Sequence, residues 1–102
     1  MLHKILCRTI AENKVSLLTI TDSSVNKLNK KSIFISSRVH PGETVSSLIM
    51  EGIIDFLLSS DSTAVTLRKK FIFKLIPMLN PDGVIHGNYR TNLAGIDLNR
   101  IW

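Results

Sequence analysis

Apolar residues recur with two different periods along the chain, and the change of period predicts where strands give way to a helix. The segments "KILCRTI" (4–10) and "VSLLTIT" (15–21) are rich in β-branched and apolar residues and flank a short polar turn. They predict a β-hairpin. The polar stretch 22–32 predicts a loop, and "IFISS" (33–37) predicts a short strand that is buried on both faces.

A helical period follows the segment "HPGE". It predicts a helix over 44–59 with Thr44 as its N-cap. A short helical turn over 63–69 comes next, and then a buried strand over 71–79 whose regular pairing is expected to stop near Pro77. Six apolar residues at spacings of three and four form the stripe that we expect to face the core: Val45, Leu48, Ile49, Ile53, Phe56 and Leu57.

Strand 33–37, helix 44–59 and strand 71–76 together predict a β–α–β unit. Such a crossover joins parallel strands, so the segments that follow the two strands lie at the same edge of the sheet. Open α/β sheets bind ligands just outside the carboxyl ends of their strands. We therefore expect "RVHPGE" (38–43) and "NPDG" (80–83) to meet at one edge and to form a site.

Composition and charge exclude several classes of protein. With 44% hydrophobic and 21% charged residues, the chain has the composition of a globular protein. The net charge is +5, but no aromatic residues interleave with the basic ones, so nucleic acid is not an expected partner. No run approaches the roughly 18 apolar residues of a membrane span, so no membrane partner is expected. The single cysteine, Cys7, favours a cytoplasmic location.

His40 and Glu43 are the first candidate site residues. An imidazole nitrogen and a carboxylate oxygen both bind Zn²⁺, and catalytic zinc sites use three protein ligands and a water. The Pro-Gly turn between the two residues allows both side chains to reach one point. The spacing alone is weak support, because Glu43 could equally be an acidic residue that favours the helix dipole, with His40 an ordinary loop residue.

The segment "LNPDGVIHGNYRTNLAGIDLNR" (79–100) supplies the second set of candidates. Long irregular loops inside small domains are usually functional. Arginine forms paired hydrogen bonds with carboxylates, so Asn99 and Arg100 are candidates for holding a substrate carboxylate. Arg90 could donate to a carbonyl oxygen that gains negative charge. The alternative for each arginine is a surface ion pair that contributes little.

The motifs of both loops resemble those of a known family. "RVHPGET", "IPMLNPDGV", "HGNYR" and "GIDLNR" resemble the zinc-ligand and substrate-carboxylate motifs of the zinc metallocarboxypeptidases. "HPGE" and "GNYRTNLAGIDLNR" are similar, more particularly, to the cytosolic carboxypeptidase branch. Members of that branch remove glutamates from the C-termini or side chains of proteins such as tubulin. The resemblance covers nearly the whole chain.

The resemblance implies a role for each matching residue. His40 and Glu43 would be the first two ligands of Zn²⁺. Arg90 would polarise the scissile carbonyl and stabilise the oxyanion, while Asn99 and Arg100 would bind the terminal carboxylate of the substrate. The family's third ligand, a histidine, and its general-base glutamate have no counterpart among the 102 residues.

Other residues of these motifs are interpreted as structural. Asp97 of "GIDLNR" matches a position that supports its loop, and Asn80, Asp82 and Gly83 match the turn that leads into it. His86 lies at a position that the family does not use for zinc, so it is not expected to be a substitute ligand.

The expected fold class is α/β. An N-terminal β-hairpin, the remnant of a β-sandwich domain, precedes the first β–α–β unit of a truncated metallocarboxypeptidase mixed sheet. Residues 1–28 would be the end of an N-terminal β-rich domain with its linker. Residues 29–102 would be the N-terminal part of an incomplete catalytic domain.

The expected function is zinc-dependent removal of C-terminal amino acids, glutamate above all, from intracellular proteins. The partners would be C-terminal tails or glutamylated side chains, with tubulin as one example. Two alternatives stay open. One is a non-catalytic fragment that binds peptide termini through Arg90, Asn99 and Arg100. The other is an acylase or desuccinylase acting on small amides, which the forms "NPDG" and "HPGE" favour less.

Overall fold

Four strands form one mixed sheet in the computed structural model, which describes residues 1–102. In space the order of the strands is β1-β2-β4-β3. β1 pairs with β2 and β2 with β4 in antiparallel orientation, while β3 and β4 are parallel. The predicted hairpin and the predicted parallel pair are both confirmed, and with them the α/β class. The strands are β1 (Leu2–Arg8), β2 (Lys14–Ile20), β3 (Lys31–Ser36) and β4 (Phe71–Ile76).

Two helices connect the parallel strands, so the predicted β–α–β unit is present. The short helical turn predicted before β4 is a full helix, which begins after Asp61 because that carboxylate accepts hydrogen bonds from the N–H groups of Thr63 and Ala64. A third helix, capped by the side chain of Asn80, was not predicted because it is short and its first residues, Pro-Asp-Gly, are typical of a turn. The helices are α1 (Val45–Leu58), α2 (Ser62–Lys70) and α3 (Pro81–His86), with one-turn 3₁₀ helices at Lys27–Asn29 and Leu98–Arg100.

The N-terminal hairpin joins the same sheet as the β–α–β unit. β2 pairs with β4 through Leu18–Leu75, Thr19–Lys74 and Ile20–Phe73. Ile20 and Leu75 are the largest fully buried side chains of the chain. The strongest packing thus lies where the hairpin meets the parallel pair. A domain boundary at residue 28 stays a prediction.

The core lies between this sheet and α1, and the predicted stripe of α1 faces it only in part: Leu57 is buried as predicted. Val45, Leu48 and Ile49 are each more than half exposed, whereas Met50 is buried. The prediction was wrong for the N-terminal part of the stripe, because apolar residues cover more than half of the circumference of α1 and a period of 3.6 then fits more than one face. Five buried residues form the core: Ile20, Met50, Leu57, Phe73 and Leu75.

Strand β3 also differs from its prediction. It lies at the edge of the sheet and pairs only with β4, and Phe34 is 70% exposed. The prediction of a strand buried on both faces is therefore wrong for this chain. Thr44 occupies the N-cap position of α1 as predicted, but its side chain makes no capping hydrogen bond. No helix of the chain has the length and apolar character needed to cross a membrane.

Asp82, which is buried, ties the turn between β1 and β2 to helix α3. Its Oδ1 accepts hydrogen bonds from Thr9 Oγ1 and from Asn13 Nδ2 at 2.9 Å, and its Oδ2 accepts from the N–H of Ala11 at 3.1 Å. Burial of the carboxyl group opposes its ionisation, but these three hydrogen bonds outweigh it and hold the pKa of Asp82 below 3.8. The ionised carboxylate therefore stabilises the fold.

Asp82→Asn is expected to lower Tm at neutral pH, because an amide has one acceptor oxygen where the carboxylate has two. The pKa of Asp82 in the folded state is below the unfolded value of 3.8. The ionised carboxylate therefore stabilises the folded state fully above pH 3.8, and this stabilisation is lost as the pH falls through the folded-state pKa. The difference in Tm between wild type and Asp82→Asn should therefore shrink below pH 3.8. Thermal unfolding followed by circular dichroism at stepped pH measures it. A difference that stays constant over the whole range would contradict this interpretation.

Candidate active site

The segments that follow β3 and β4 are hydrogen-bonded to each other. The N–H of Ser37 donates to the carbonyl of Ile76 at 3.0 Å, and the N–H of Leu79 donates to the carbonyl of Ser37 at 2.9 Å. The N–H of Asn80 donates to the carbonyl of Arg38 at 3.1 Å. The prediction that these two loops meet at one edge of the sheet is confirmed, and that edge holds the candidate site.

Two glycines allow the two loops to pack closely. The N–H of Gly42 donates to the carbonyl of Tyr89 at 2.7 Å, and a Cβ on Gly42 would lie 2.7 Å from Tyr89 Cε2. A Cβ on Gly83 would lie 2.7 Å from the carbonyl oxygen of Thr91 and would collide with the ring of Pro41. Both distances are too short for carbon, so neither position has room for a side chain.

His40 is the buried centre of the site, only 6% exposed. Its Nε2 lies 2.9 Å from Asp97 Oδ1, and its Nδ1 lies 3.1 Å from Glu43 Oε1. An ionised carboxylate only accepts hydrogen bonds, and the contact with Asp97 is shorter and less exposed than the contact with Glu43, so we assign the one proton of the neutral ring to Nε2. In the neutral ring, Nδ1 then faces the Glu43 carboxylate as a second acceptor. A cation between these two acceptors would stabilise the pair.

Asp97 connects three parts of the site. It accepts hydrogen bonds from His40 Nε2, from the N–H of Asn99 at 2.9 Å and from Arg90 Nε at 2.7 Å. Burial opposes ionisation of Asp97, but the hydrogen bonds from His40, Asn99 and Arg90 and the charge of Arg90 lower its pKa to about 2. The motif predicts only a supporting role for its loop. The position of Asp97 two residues before Asn99-Arg100 in "GIDLNR" is the one feature of the sequence that indicates a place in the site itself.

Arg90 is held by one nitrogen and keeps the others available. Its Nε pairs with Asp97, while its Nη1 and Nη2 make no hydrogen bond within the chain, and the side chain is 42% exposed. A guanidinium oriented by a carboxylate on one edge presents ordered donors on the other edge. Arg90 is therefore placed to donate to a ligand beside His40.

The side chains of Asn99 and Arg100 are not part of the network formed by His40, Asp97 and Arg90. Asn99 touches the network through its backbone N–H, but its side-chain Oδ1 accepts from Trp102 Nε1 at 2.7 Å. Arg100 Nη1 donates to the carbonyl of Asn99 at 3.1 Å. The structure thus brings His40 and Arg90 together at Asp97, and Glu43 lies against the other nitrogen of the His40 ring. The Asn99 and Arg100 side chains make no hydrogen bond with them, and their substrate-binding roles stay predictions.

The donor set fits part of a zinc site. Zn–N and Zn–O bonds of about 2.0–2.2 Å in tetrahedral geometry separate two ligand atoms by about 3.3 to 3.6 Å. His40 Nδ1 and Glu43 Oε1 are 3.1 Å apart. No group of three or more His, Cys, Asp or Glu side chains in the chain is arranged to hold a metal ion. His86 is exposed at the end of α3 and makes no hydrogen bond with the site.

Comparison with known proteins extends these observations. Residues 2–102 match the sequence model of the family described as zinc carboxypeptidase. The chain is 58% identical over 98 residues to cytosolic carboxypeptidase 2 of Mus musculus, covering 93% of this chain and 11% of that protein. It is 54% identical over 99 residues to cytosolic carboxypeptidase 3 of Bos taurus, covering 95% of this chain and 10% of that protein.

Solved structures give the same result for the fold. A putative carboxypeptidase A from Shewanella denitrificans is similar with a TM-score of 0.90 and 38% identity, over 98% of this chain and 26% of that chain. The chain thus spans about a tenth of the curated relatives named above and about a quarter of this solved structure. By sequence and by fold, the chain belongs to the zinc carboxypeptidase family.

Proposed function

We propose that residues 29–102 are the N-terminal part of a catalytic domain that removes C-terminal amino acids from proteins. The observation that carries the proposal is the series of close polar contacts Glu43–His40–Asp97–Arg90, at 3.1, 2.9 and 2.7 Å. It joins a pair of metal-binding side chains to an arginine with unused donors. This is the combination that metal-assisted hydrolysis of an amide requires.

In this proposal His40 and Glu43 hold zinc, the metal of the family. When bound, zinc lowers the pKa of a water toward neutrality. Asp97 keeps the ring of His40 in one tautomer, so that Nδ1 is free to bind metal. Arg90 donates through its Nη groups to the substrate carbonyl oxygen as negative charge develops on it. A histidine and a general-base glutamate from outside these 102 residues complete the site.

The proposed substrates are C-terminal tails of proteins, with glutamate as the residue released and tubulin as one candidate. Two observations support an acidic substrate in the cytosol. The relatives are named cytosolic carboxypeptidases. The chain carries a net charge of +5, which favours encounter with acidic peptides. Asn99 and Arg100 would hold the terminal carboxylate, since both side chains are exposed and a guanidinium matches a carboxylate with two parallel hydrogen bonds.

The proposal is tested on an extended enzyme, meaning this chain continued through the remainder of a zinc carboxypeptidase domain, from its own gene or as a chimera with a relative. We expect it to release free glutamate from a synthetic peptide that ends in glutamates. A chelator should abolish the release and added Zn²⁺ should restore it. Residues 1–102 alone should release nothing, because general-base catalysis is typically worth about 10² to 10⁴ in rate and the base is absent.

The matched control is the same peptide ending in lysine, which should be a poor substrate. Release that survives chelation would contradict the zinc mechanism. Hydrolysis of small N-acyl amino acids without hydrolysis of either peptide would favour the acylase alternative. Binding of peptide termini without any hydrolysis would favour the non-catalytic alternative.

A further inference from the structure

Arg38 has an unusual backbone conformation two residues before His40. Its φ is 54°, in the left-handed region that residues other than glycine rarely adopt. Glu12, in the turn of the hairpin, is the only other non-glycine residue of the chain with a positive φ. Such strain persists where surrounding contacts impose it, and it is common beside functional sites. The contacts of Arg38 show what imposes it here.

The guanidinium of Arg38 holds the middle of the loop that carries both metal-binding residues. Its Nε and Nη2 donate to the same carbonyl oxygen, that of Pro41, at 3.1 and 2.8 Å. Its Nη1 donates to Ser47 Oγ in the first turn of α1 at 2.9 Å. Pro41 lies between His40 and Glu43 in the sequence. One side chain therefore fixes the turn between the two residues and attaches that turn to a helix.

The backbone of Arg38 makes a second attachment to the same helix. Its N–H donates to Ser46 Oγ at 3.2 Å, and that hydroxyl donates to the carbonyl of Glu43 at 2.7 Å. The N–H of Glu43 in turn donates to the carbonyl of His40 at 3.2 Å. The loop and the start of α1 thus form one hydrogen-bonded unit, and both metal-binding residues belong to it.

We propose that Arg38 is a positioning residue of the zinc site. Its guanidinium holds the Pro41 carbonyl and thereby sets the separation between His40 Nδ1 and Glu43 Oε1 before metal binds. Arg38 touches neither ligand side chain and acts through the backbone between them. The inference rests on the proposed ligand roles of His40 and Glu43. Without the guanidinium, the Pro-Gly turn gains freedom that metal binding must then remove.

Arg38→Gly separates positioning from backbone strain. Glycine adopts a positive φ without steric cost, so this variant keeps the loop conformation accessible while it removes the guanidinium. Arg38→Lys keeps the charge but cannot donate two hydrogen bonds in a fixed fork to one carbonyl. Arg68→Lys is the matched control. Like Arg38, Arg68 binds backbone carbonyls: its Nη1 donates to those of Leu57 and Ser59, at the far end of α1.

The experiment is a titration with Zn²⁺ of the 102-residue chain on a soluble fusion partner, followed by NMR of the histidine rings. Weak binding is measurable this way, and the rings of His3 and His86 report non-specific binding. Wild type should bind at His40, and His40→Ala should not. Both Arg38 variants should raise Kd by about tenfold or more, as is typical for residues that orient metal ligands. In metal-free Arg38→Gly, the His40 ring resonances should broaden while those of His3 and His86 stay unchanged.

Arg68→Lys should leave the Kd for Zn²⁺ unchanged even where it lowers Tm. A wild-type Kd in Arg38→Gly and Arg38→Lys would overturn the inference and leave the proposed function standing. An equal rise of Kd in Arg68→Lys would also overturn it, because the effect would then follow general stability. If wild type shows no zinc binding that depends on His40, the ligand assignment in the proposed function fails, and the inference fails with it. The same variants in the extended enzyme, compared by zinc content after dialysis, give a second measurement.

Discussion

Replacement of Arg90 by alanine in the extended enzyme is expected to lower kcat by about 10² to 10³, the usual cost of removing one donor to a developing oxyanion. The structure supplies the reason. Arg90 is oriented by its 2.7 Å contact with Asp97 while its two Nη groups make no hydrogen bond within the chain. Those donors are available to a substrate oxygen. Steady-state hydrolysis of the glutamate-ending peptide measures kcat and KM separately.

Two further variants make the result specific. Arg90→Lys keeps a positive charge but lacks the planar group that can bind Asp97 and substrate at once, so it should recover only a small part of the rate. Arg8→Ala is the matched control, since Arg8 is an arginine of the hairpin that pairs with Glu12, and its removal should leave kcat unchanged. A change confined to KM in Arg90→Ala would instead assign Arg90 to ground-state binding of substrate.

Asp97→Asn is expected to have the second large effect, a loss of about 10- to 100-fold in zinc affinity of the extended enzyme. Three donors meet the Asp97 carboxylate, from His40, Arg90 and the backbone of Asn99. An asparagine offers one acceptor oxygen and turns an N–H toward at least one of them. Either the His40 ring or the Arg90 guanidinium then loses its orientation, so kcat should fall as well. Competition with a zinc-binding dye measures the affinity.

Asp82→Asn is the matched control for this change. Asp82, like Asp97, is an aspartate that accepts three hydrogen bonds, but it is buried and its partners are Thr9, Ala11 and Asn13 of the hairpin turn. It should lower Tm and leave zinc affinity unchanged. An unchanged zinc affinity in Asp97→Asn would show that Asp97 serves only its loop, which is the role that the motif predicts.

The sequence predicts the fold well where periodicity and chain order decide it. The hairpin, the parallel pair and the end of β4 before Pro77 all follow from local patterns. The buried face of α1 does not follow from its sequence pattern. Apolar residues cover more than half of that helix, so tertiary packing determines which of them are buried. The position of β3 at an edge depends in the same way on which other strands are present.

The candidate site is predicted in part. The meeting of the two loops follows from strand direction, and motif resemblance indicates His40, Glu43 and Arg90. The contact between His40 and Asp97 does not follow, because it spans 57 residues and depends on the path of an irregular loop. The hydrogen bonds from Arg38 to the Pro41 carbonyl could not be predicted either. They depend on a left-handed backbone at Arg38, which arginine rarely adopts.

The sequence separation between His40 and Asp97 has a consequence for synthesis on the ribosome. Chains grow at about 5 to 20 residues per second, so 57 residues correspond to about 3 to 11 s between the two residues. During that interval the ring of His40 lacks its contact with Asp97, and Glu43 is the one carboxylate partner that has already been made. The turn between His40 and Glu43 is ready earlier, because Arg38 and Ser47 lie only nine residues apart. The proposed metal-binding pair thus takes its shape first, and the contact that orients the His40 ring forms later, when the loop that carries Asp97 folds back over it.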